Sequence, residues 1–358
     1  MAKTLKEQFA MIRDREEVIT EIYSKTQLLE LFESWTEEQQ NLFLEYCTGM
    51  RGLKILYDQF FKLIINPEEH PERLEEILSV IIGEKIRILQ VLPNESTRIA
   101  AENSLLVLDI VVELKDGSIA NVEVQRIGYA FPGQRSACYS ADLLMRQYKR
   151  MKKRKKKNFK YSDIKKSYTI VFFEKSTAEF QKYPETYIHR AKQKTDSGLQ
   201  IDLLQEYIFV PLDIFKKHLH NKGIQRGNML EAWLTFLSED DPEYILKLIS
   251  VYPKFKKLYA EVYRTCQNTE VMMGLFSKEL LEMDKNTVDF MIDQMQDVID
   301  EQKNQIEENK RRLDEQAKLL DEQIKQLGEQ TKQLDEQTKQ LDDKDRIIAE
   351  LRAQLEQK

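Results

Sequence analysis

The stretch from Leu105 to Gln125, LLVLDIVVELKDGSIANVEVQ, constrains the fold more than any other part of the chain. Two runs rich in aliphatic and β-branched residues flank Asp116-Gly117, and Asp-Gly between such runs is a strong hairpin signal. Each arm nevertheless carries a carboxylate, Asp109 in the first and Glu123 in the second. The loop length decides where these acids point. With a three-residue loop and Gly117 in the left-handed position, Leu114 faces Ser118 and Asp109 lies across from Glu123, roughly 5 Å apart at Cβ. Gln125 follows Glu123 on that face, because side chains alternate along a strand. A two-residue turn slips the register by one and sends Asp109 to the face of Val124. Two facing carboxylates repel and are costly to bury. A hard divalent cation removes that cost, magnesium or manganese being suited to oxygen ligands. The alternative is that each acid points to solvent, as on a one-sided antiparallel sheet. Glu113 and Lys115 read as ordinary surface residues.

Around this hairpin the texture changes twice. Residues 1 to about 45 read as polar helix, and GLKILYDQFFKLIINP and PERLEEILSVIIG as amphipathic helices stopped by Pro67 and Gly83. Short β-rich runs follow at 86–92, 105–114, 119–125, 168–174 and 206–213, with a helix after Pro132-Gly133 between the third and the fourth. That order predicts an α/β fold with a mixed sheet. Beyond residue 228 the pattern is helical throughout. From Asp314 it becomes a seven-residue repeat with Leu313, Leu320, Leu327, Leu334, Leu341, Ile348 and Leu355 along one seam. The facing positions, Ala317, Ile324, Thr331, Thr338, Asp345 and Arg352, are mostly polar. Such a coiled coil depends on self-association, the alternative being a frayed single helix.

The block LDIVVELKDGSIANVEVQ followed by FPGQRSACYSADLLMRQY resembles the PD-(D/E)XK nuclease superfamily. More narrowly, it is similar to the Rpn family of recombination-promoting nucleases and transposases, over roughly residues 50–215. The resemblance implies a restriction-endonuclease-like core: a mixed sheet flanked by helices, followed here by a helical region and a C-terminal coiled coil. It implies a metal-dependent phosphodiesterase in which Asp109 and Glu123, with the backbone carbonyl of Val124, hold magnesium or, alternatively, manganese. Catalytic positions carried over are Asp109, Glu123, Gln125, Arg135 and Tyr139. Gln125 stands where the superfamily at large has lysine, so it orients by hydrogen bonding but brings no positive charge. Asp58, Glu76 and Glu84 are the candidates for a further acid from the preceding helices. Read from spacing alone, Arg135 and Tyr139 share a helix face, and the alternative to a functional pair is an Arg–carboxylate pair beside a half-buried tyrosine.

Eight of the nine residues 149–157 are Lys or Arg: Lys149, Arg150, Lys152, Lys153, Arg154, Lys155, Lys156 and Lys157. Like charges four apart repel on a helix, so the run reads as a loop that grips phosphates without reading sequence. The alternative is a solvated loop. The net charge of −6 over 358 residues argues against a chain that coats nucleic acid along its whole surface, though not against a local basic site. Cys47, Cys138 and Cys266 give neither a disulfide framework nor, with the four histidines, a zinc spacing. No Gly-rich phosphate loop, signal peptide or long apolar run is present, which points to a cytoplasmic chain that does not enter a membrane.

The expected organisation is an N-terminal helical segment (1–48), a nuclease-like domain (49–227), a helical region (228–284) and a long helix or coiled coil (285–358) that makes a homo-oligomer. The expected function is magnesium-dependent DNA endonuclease activity in a recombination- or transposase-associated family, acting without strong sequence specificity. The second reading is a catalytically weak or inactive nucleic-acid-binding protein on the same fold.

Overall fold

The computed structural model describes residues 5–92, 110–127 and 132–355. Helices α1 (Arg15–Ser24), α2 (Thr26–Glu33), α3 (Glu37–Thr48), α4 (Asp58–Ile64) and α5 (Pro71–Ile82) precede strands β1 (Ile88–Leu92), β2 (Ile110–Leu114) and β3 (Ile119–Ile127). Helix α6 (Pro132–Lys155) leads to β4 (Ser167–Lys175), the short α7 (Ala178–Gln181), β5 (His189–Lys192) and β6 (Gln205–Pro211). The chain ends in α8 (Leu212–Lys222), α9 (Met229–Ser238), α10 (Pro242–Val251), α11 (Lys254–Gln267) and α12 (Thr269–Leu355). The strands form one mixed sheet in the order β1-β2-β3-β4-β6-β5. Strands β1, β2 and β3 make an antiparallel meander, while β3, β4 and β6 run parallel and β5 returns antiparallel. Helix α6 joins the parallel pair β3 and β4, which no hairpin could connect.

Alternation along β2 and β3 divides the side chains between two layers. Ile110, Val112, Leu114, Ala120 and Val122 join a large core shared with α1 to α5, α8 to α11 and the start of α12. Val111 and Ile119 point the other way and meet Tyr139 and Leu143 of α6. Helix α6 is thus the roof of one sheet face.

Two elements differ from the sequence reading. Strand β5 was not expected, because His-Arg-Ala-Lys has no apolar alternation; as an edge strand it needs none, three of its four residues being exposed. The run 206–213 is not strand throughout: β6 stops at Pro211, and Leu212 opens α8. A proline cannot continue a ladder but can sit at the entry of a helix.

The chain forms two compact units, Met1–Met291 and Ile292–Lys358. In the second, the seam residues Leu313, Leu320, Leu327, Leu334, Leu341 and Ile348 are exposed, and the Thr331 and Thr338 hydroxyls donate to the carbonyls of Leu327 and Leu334 on their own helix. No helix among the described residues is long and apolar enough to cross a membrane.

In the first unit a buried threonine ties the start of α12 to α1. Thr269 Oγ1 donates to Glu21 (2.6 Å), and Arg13 donates to both Glu21 (2.6 Å) and Thr269 (2.5 Å). The Thr269 bond, helped by Arg13 and Lys25 and opposed by burial, holds the Glu21 carboxyl down to about 2 from 4.5. A depressed carboxyl stabilises the fold above pH 4.5, and that contribution is lost as the pH falls toward 2. Thr269→Val should therefore cost about 1–2 kcal/mol at pH 7, and the cost should shrink between pH 4.5 and 2. Urea unfolding across that range checks both parts.

Candidate active site

The β2–β3 turn is closed by Leu114 N–H donating to the Ser118 carbonyl (2.8 Å) and Gly117 N–H donating to the Leu114 carbonyl (2.9 Å). Gly117 takes φ +91°, a conformation that favours glycine, and the Asp116 carboxylate accepts from both the N–H and the hydroxyl of Ser118. This is the three-residue loop. It gives the pairs Glu113↔Ile119, Val112↔Ala120, Val111↔Asn121 and Ile110↔Val122. Asp109 lies outside the described residues.

On β3, Asn121, Glu123 and Gln125 share the face that α6 covers, and all three are buried, Glu123 at 7% exposure and Gln125 at 4%. Asn121 Nδ2 lies 3.4 Å from Glu123 Oε2 as its donor. Three buried oxygens on this face, Asn121 Oδ1, Gln125 Oε1 and Thr169 Oγ1 of β4, have no hydrogen-bond partner among the described residues. Thr169 pairs with Asn121 across the parallel ladder, so the three sit on neighbouring strands. A buried polar atom left unpaired costs about 1–3 kcal/mol, so a group of them marks a place fitted for something other than packing.

Above this strip, Arg135 Nε donates to the Tyr139 hydroxyl (2.8 Å), and the guanidinium lies 5.9 Å from the ring centre. Tyr139 is fully buried rather than half-buried, wedged against Val111, Ile119 and Leu143. The tyrosine thereby holds the arginine near the N-terminal end of α6. Ser136 and Ser140 of α6 are also buried, and Ser140 Oγ accepts from Gln205 of β6 (3.0 Å). Sequence reading missed Asn121 and Thr169. The signal for Asn121 was available, since N-V-E-V-Q carries a polar residue at every second position of a strand whose other face is apolar.

The candidate further acids separate. Asp58 opens α4 and its side chain is not described; Glu76 pairs with Lys254 (2.5 Å). Glu84 accepts from the Tyr168 hydroxyl (3.3 Å), and Tyr168 belongs to the large core on the opposite sheet face from Glu123. The buried acid of α5 is instead Glu75, which pairs with Arg87 and accepts from Ile88 N–H (2.8 Å), fixing the start of β1. Among the described residues no three His, Cys, Asp or Glu side chains group as a metal site.

The basic run is not a loop. Helix α6 continues through Lys155 and gives way to a 3-10 turn at Lys156–Asn158. Nor is Glu113 a surface residue: it is 2% exposed, accepts from Gln90, and pairs with Arg150 (2.9 Å) and Arg154 (3.3 Å). The two arginines stand four apart and converge on one buried carboxylate, which offsets the repulsion between them. Cations at a helix C-terminus also meet the negative end of the helix dipole. Burial pushes the Arg150 guanidinium below its ordinary value and Glu113 pushes it back. Lys149, Lys152, Lys153, Lys155, Lys156 and Lys157 remain exposed.

A family model for PD-(D/E)XK nuclease family transposases matches residues 55–294. The chain belongs to that family. Its nuclease character fits a mixed sheet with a buried acid on the third strand, roofed by a helix that carries arginine and tyrosine. No curated protein and no solved structure matches significantly. The family match runs from just before α4 into α12, so it takes in the helices beyond the sheet as well as the sheet itself.

Proposed function

We propose that this member of the nuclease family is a divalent-metal-dependent DNA endonuclease. The observation that carries the reading is the buried carboxylate of Glu123 beside the buried amide oxygen of Gln125, which has no hydrogen-bond partner among the described residues, on the sheet face roofed by α6. This donor set fits magnesium, a hard cation that takes oxygen ligands. Glu123 and the Val124 carbonyl, with Asp109, are the residues that would hold it. When bound, magnesium or manganese supplies charge neutralisation at the scissile phosphate and makes a nearby water more acidic.

The remaining roles belong to the chain. Gln125 Oε1 is an acceptor that can orient a water for attack, a task for which a neutral amide suffices. Gln125 brings no charge, and Arg135, steadied by Tyr139, is the cation that would meet a phosphate oxygen. The exposed lysines at the end of α6 attract the DNA backbone without reading its sequence. Affinity should fall steeply as salt rises. Three free cysteines suit a reducing, cytoplasmic setting.

The metal reading is tested by thermal unfolding with and without excess magnesium or manganese. Ligand in hundredfold excess over its dissociation constant should add about 2.7 kcal/mol of stability, and Glu123→Ala should abolish the gain. An equal gain in that variant would refute the assignment. We further propose that residues 285–358 associate between copies, since the seam leucines of the second unit are exposed in a single chain. Light scattering should return a multiple of the 42.5 kDa chain mass; a monomer at micromolar concentration would remove the coiled-coil proposal.

A further inference from the structure

Beyond α6 the chain builds a feature that phosphate binding alone does not explain. Lys156, at φ +50°, ends the helix in the left-handed region, much as a glycine often does. The chain then folds back so that Phe159 and Tyr161 meet Tyr148 of α6. Tyr148 and Tyr161 are stacked, with ring centres 6.2 Å apart and planes 18° from parallel, and Phe159 sets its edge to both at 5.5 Å. This cluster lies outside both hydrophobic cores, and Tyr161 is 75% exposed. It is held in place from its edges. Asp163 accepts from Lys155 Nζ (2.5 Å) and Lys160 N–H (2.8 Å), while Lys152 Nζ donates to the Tyr148 hydroxyl (3.0 Å). Next to Tyr161, Lys155, Lys157 and Lys160, together with Asn158, Phe159 and Asp163, line an open hollow of about 530 Å³.

An exposed, fixed aromatic face beside lysines has the chemistry that binds unpaired nucleobases: the ring stacks on bases, the ammonium groups follow the phosphates. A closed duplex offers only its phosphates here, because its base faces are stacked on each other. We propose that Tyr161, backed by Tyr148 and Phe159, is a stacking platform for an unpaired stretch of the DNA substrate, so that single-stranded or junction DNA is preferred over closed duplex. The proposal rests on the DNA reading above and narrows the substrate class. Tyr148 lies nine residues beyond Tyr139 on α6, about 14 Å of helix axis. That is the length of about four base steps, short enough for one strand to span both the platform and the Glu123 face.

The test is fluorescence anisotropy of a labelled oligothymidylate of about 20 nucleotides against a duplex of equal length, both in EDTA so that nothing is cut. Tyr161→Ala should weaken binding of the single strand about tenfold, leave duplex binding within about twofold, and leave the salt dependence of both unchanged, since no phosphate contact is lost. Tyr161→Trp should restore single-strand affinity, and its fluorescence should be quenched by the single strand and not by the duplex. At 75% exposure Tyr161 has little part in folding, so a change in binding is not a change in fold. Unchanged single-strand binding by Tyr161→Ala, or an equal loss on duplex, would overturn the platform while leaving the nuclease reading untouched. Wild-type protein that binds neither form would overturn both.

Discussion

Glu123→Ala should reduce metal-dependent DNA cleavage by at least about 10²–10³-fold, the loss expected when a group that stabilises the reacting charge is removed. It should do so in a protein that remains folded. Glu123 is 7% exposed and stands between Asn121 and Gln125 on the face that α6 covers, where a buried carboxylate carries a desolvation cost. In EDTA the variant should melt no more than a few degrees below the wild type, since removing the carboxylate also removes that cost. Glu123→Gln sharpens the comparison: it keeps the volume and the contact with Asn121 Nδ2 but removes the charge. Cleavage should be lost in it as in the alanine variant. A Gln variant that still cleaves would mean that the charge at 123 is not used.

The second large effect is on stability and lies at the other end of α6. Glu113→Ala removes the carboxylate that pairs with Arg150, whose side chain is 20% exposed, and leaves that guanidinium in a low-dielectric place. Breaking a buried pair from one side costs about 3–5 kcal/mol, which lowers Tm by roughly 6–10 °C at the slope expected for a unit of this size. Arg154, at 49% exposure, contributes little to that sum. Because the penalty is mostly an uncompensated charge, Glu113→Leu combined with Arg150→Met should recover much of it. Additive losses in the double variant would contradict the account. The same pair explains how so basic a segment stays helical, so Glu113→Ala should also fray the end of α6, seen as faster amide exchange across residues 149–155.

What could be read from sequence follows from how local each signal is. Asp116-Gly117 is turn chemistry written in adjacent residues and marked the hairpin, whereas the choice between a two- and a three-residue loop, and with it the register from Leu114 to Ile110, came from the hydrogen bonds of the folded turn. The order of strands around α6, and the family, were legible from the same block. Glu113 was misread because β2 is buried on both faces, so polar and apolar positions no longer distinguish solvent from interior. The helical state of residues 149–155 was misread for the same cause seen from the other side: its neutralising partner lies 41 residues away from Arg154, beyond any pattern of neighbouring residues. Helix α8 was hidden by Pro211, apolar enough in context to be counted into the strand before it. Asn121 and Thr169 show a subtler limit. Each looks like an ordinary strand residue, and only the parallel pairing of β3 with β4 brings together their oxygens, which have no hydrogen-bond partner among the described residues.

The central claim is that the acids of this hairpin serve a metal-dependent nuclease. It is tested most directly by incubating supercoiled plasmid with the purified protein in magnesium, manganese or EDTA, beside Asp109→Ala and Glu123→Ala. The account predicts nicking that requires the cation and disappears in both variants. Plasmid left intact by a folded wild-type protein that still retards it on a gel, with retardation lost at high salt, would contradict the claim and leave a binding protein on a nuclease fold.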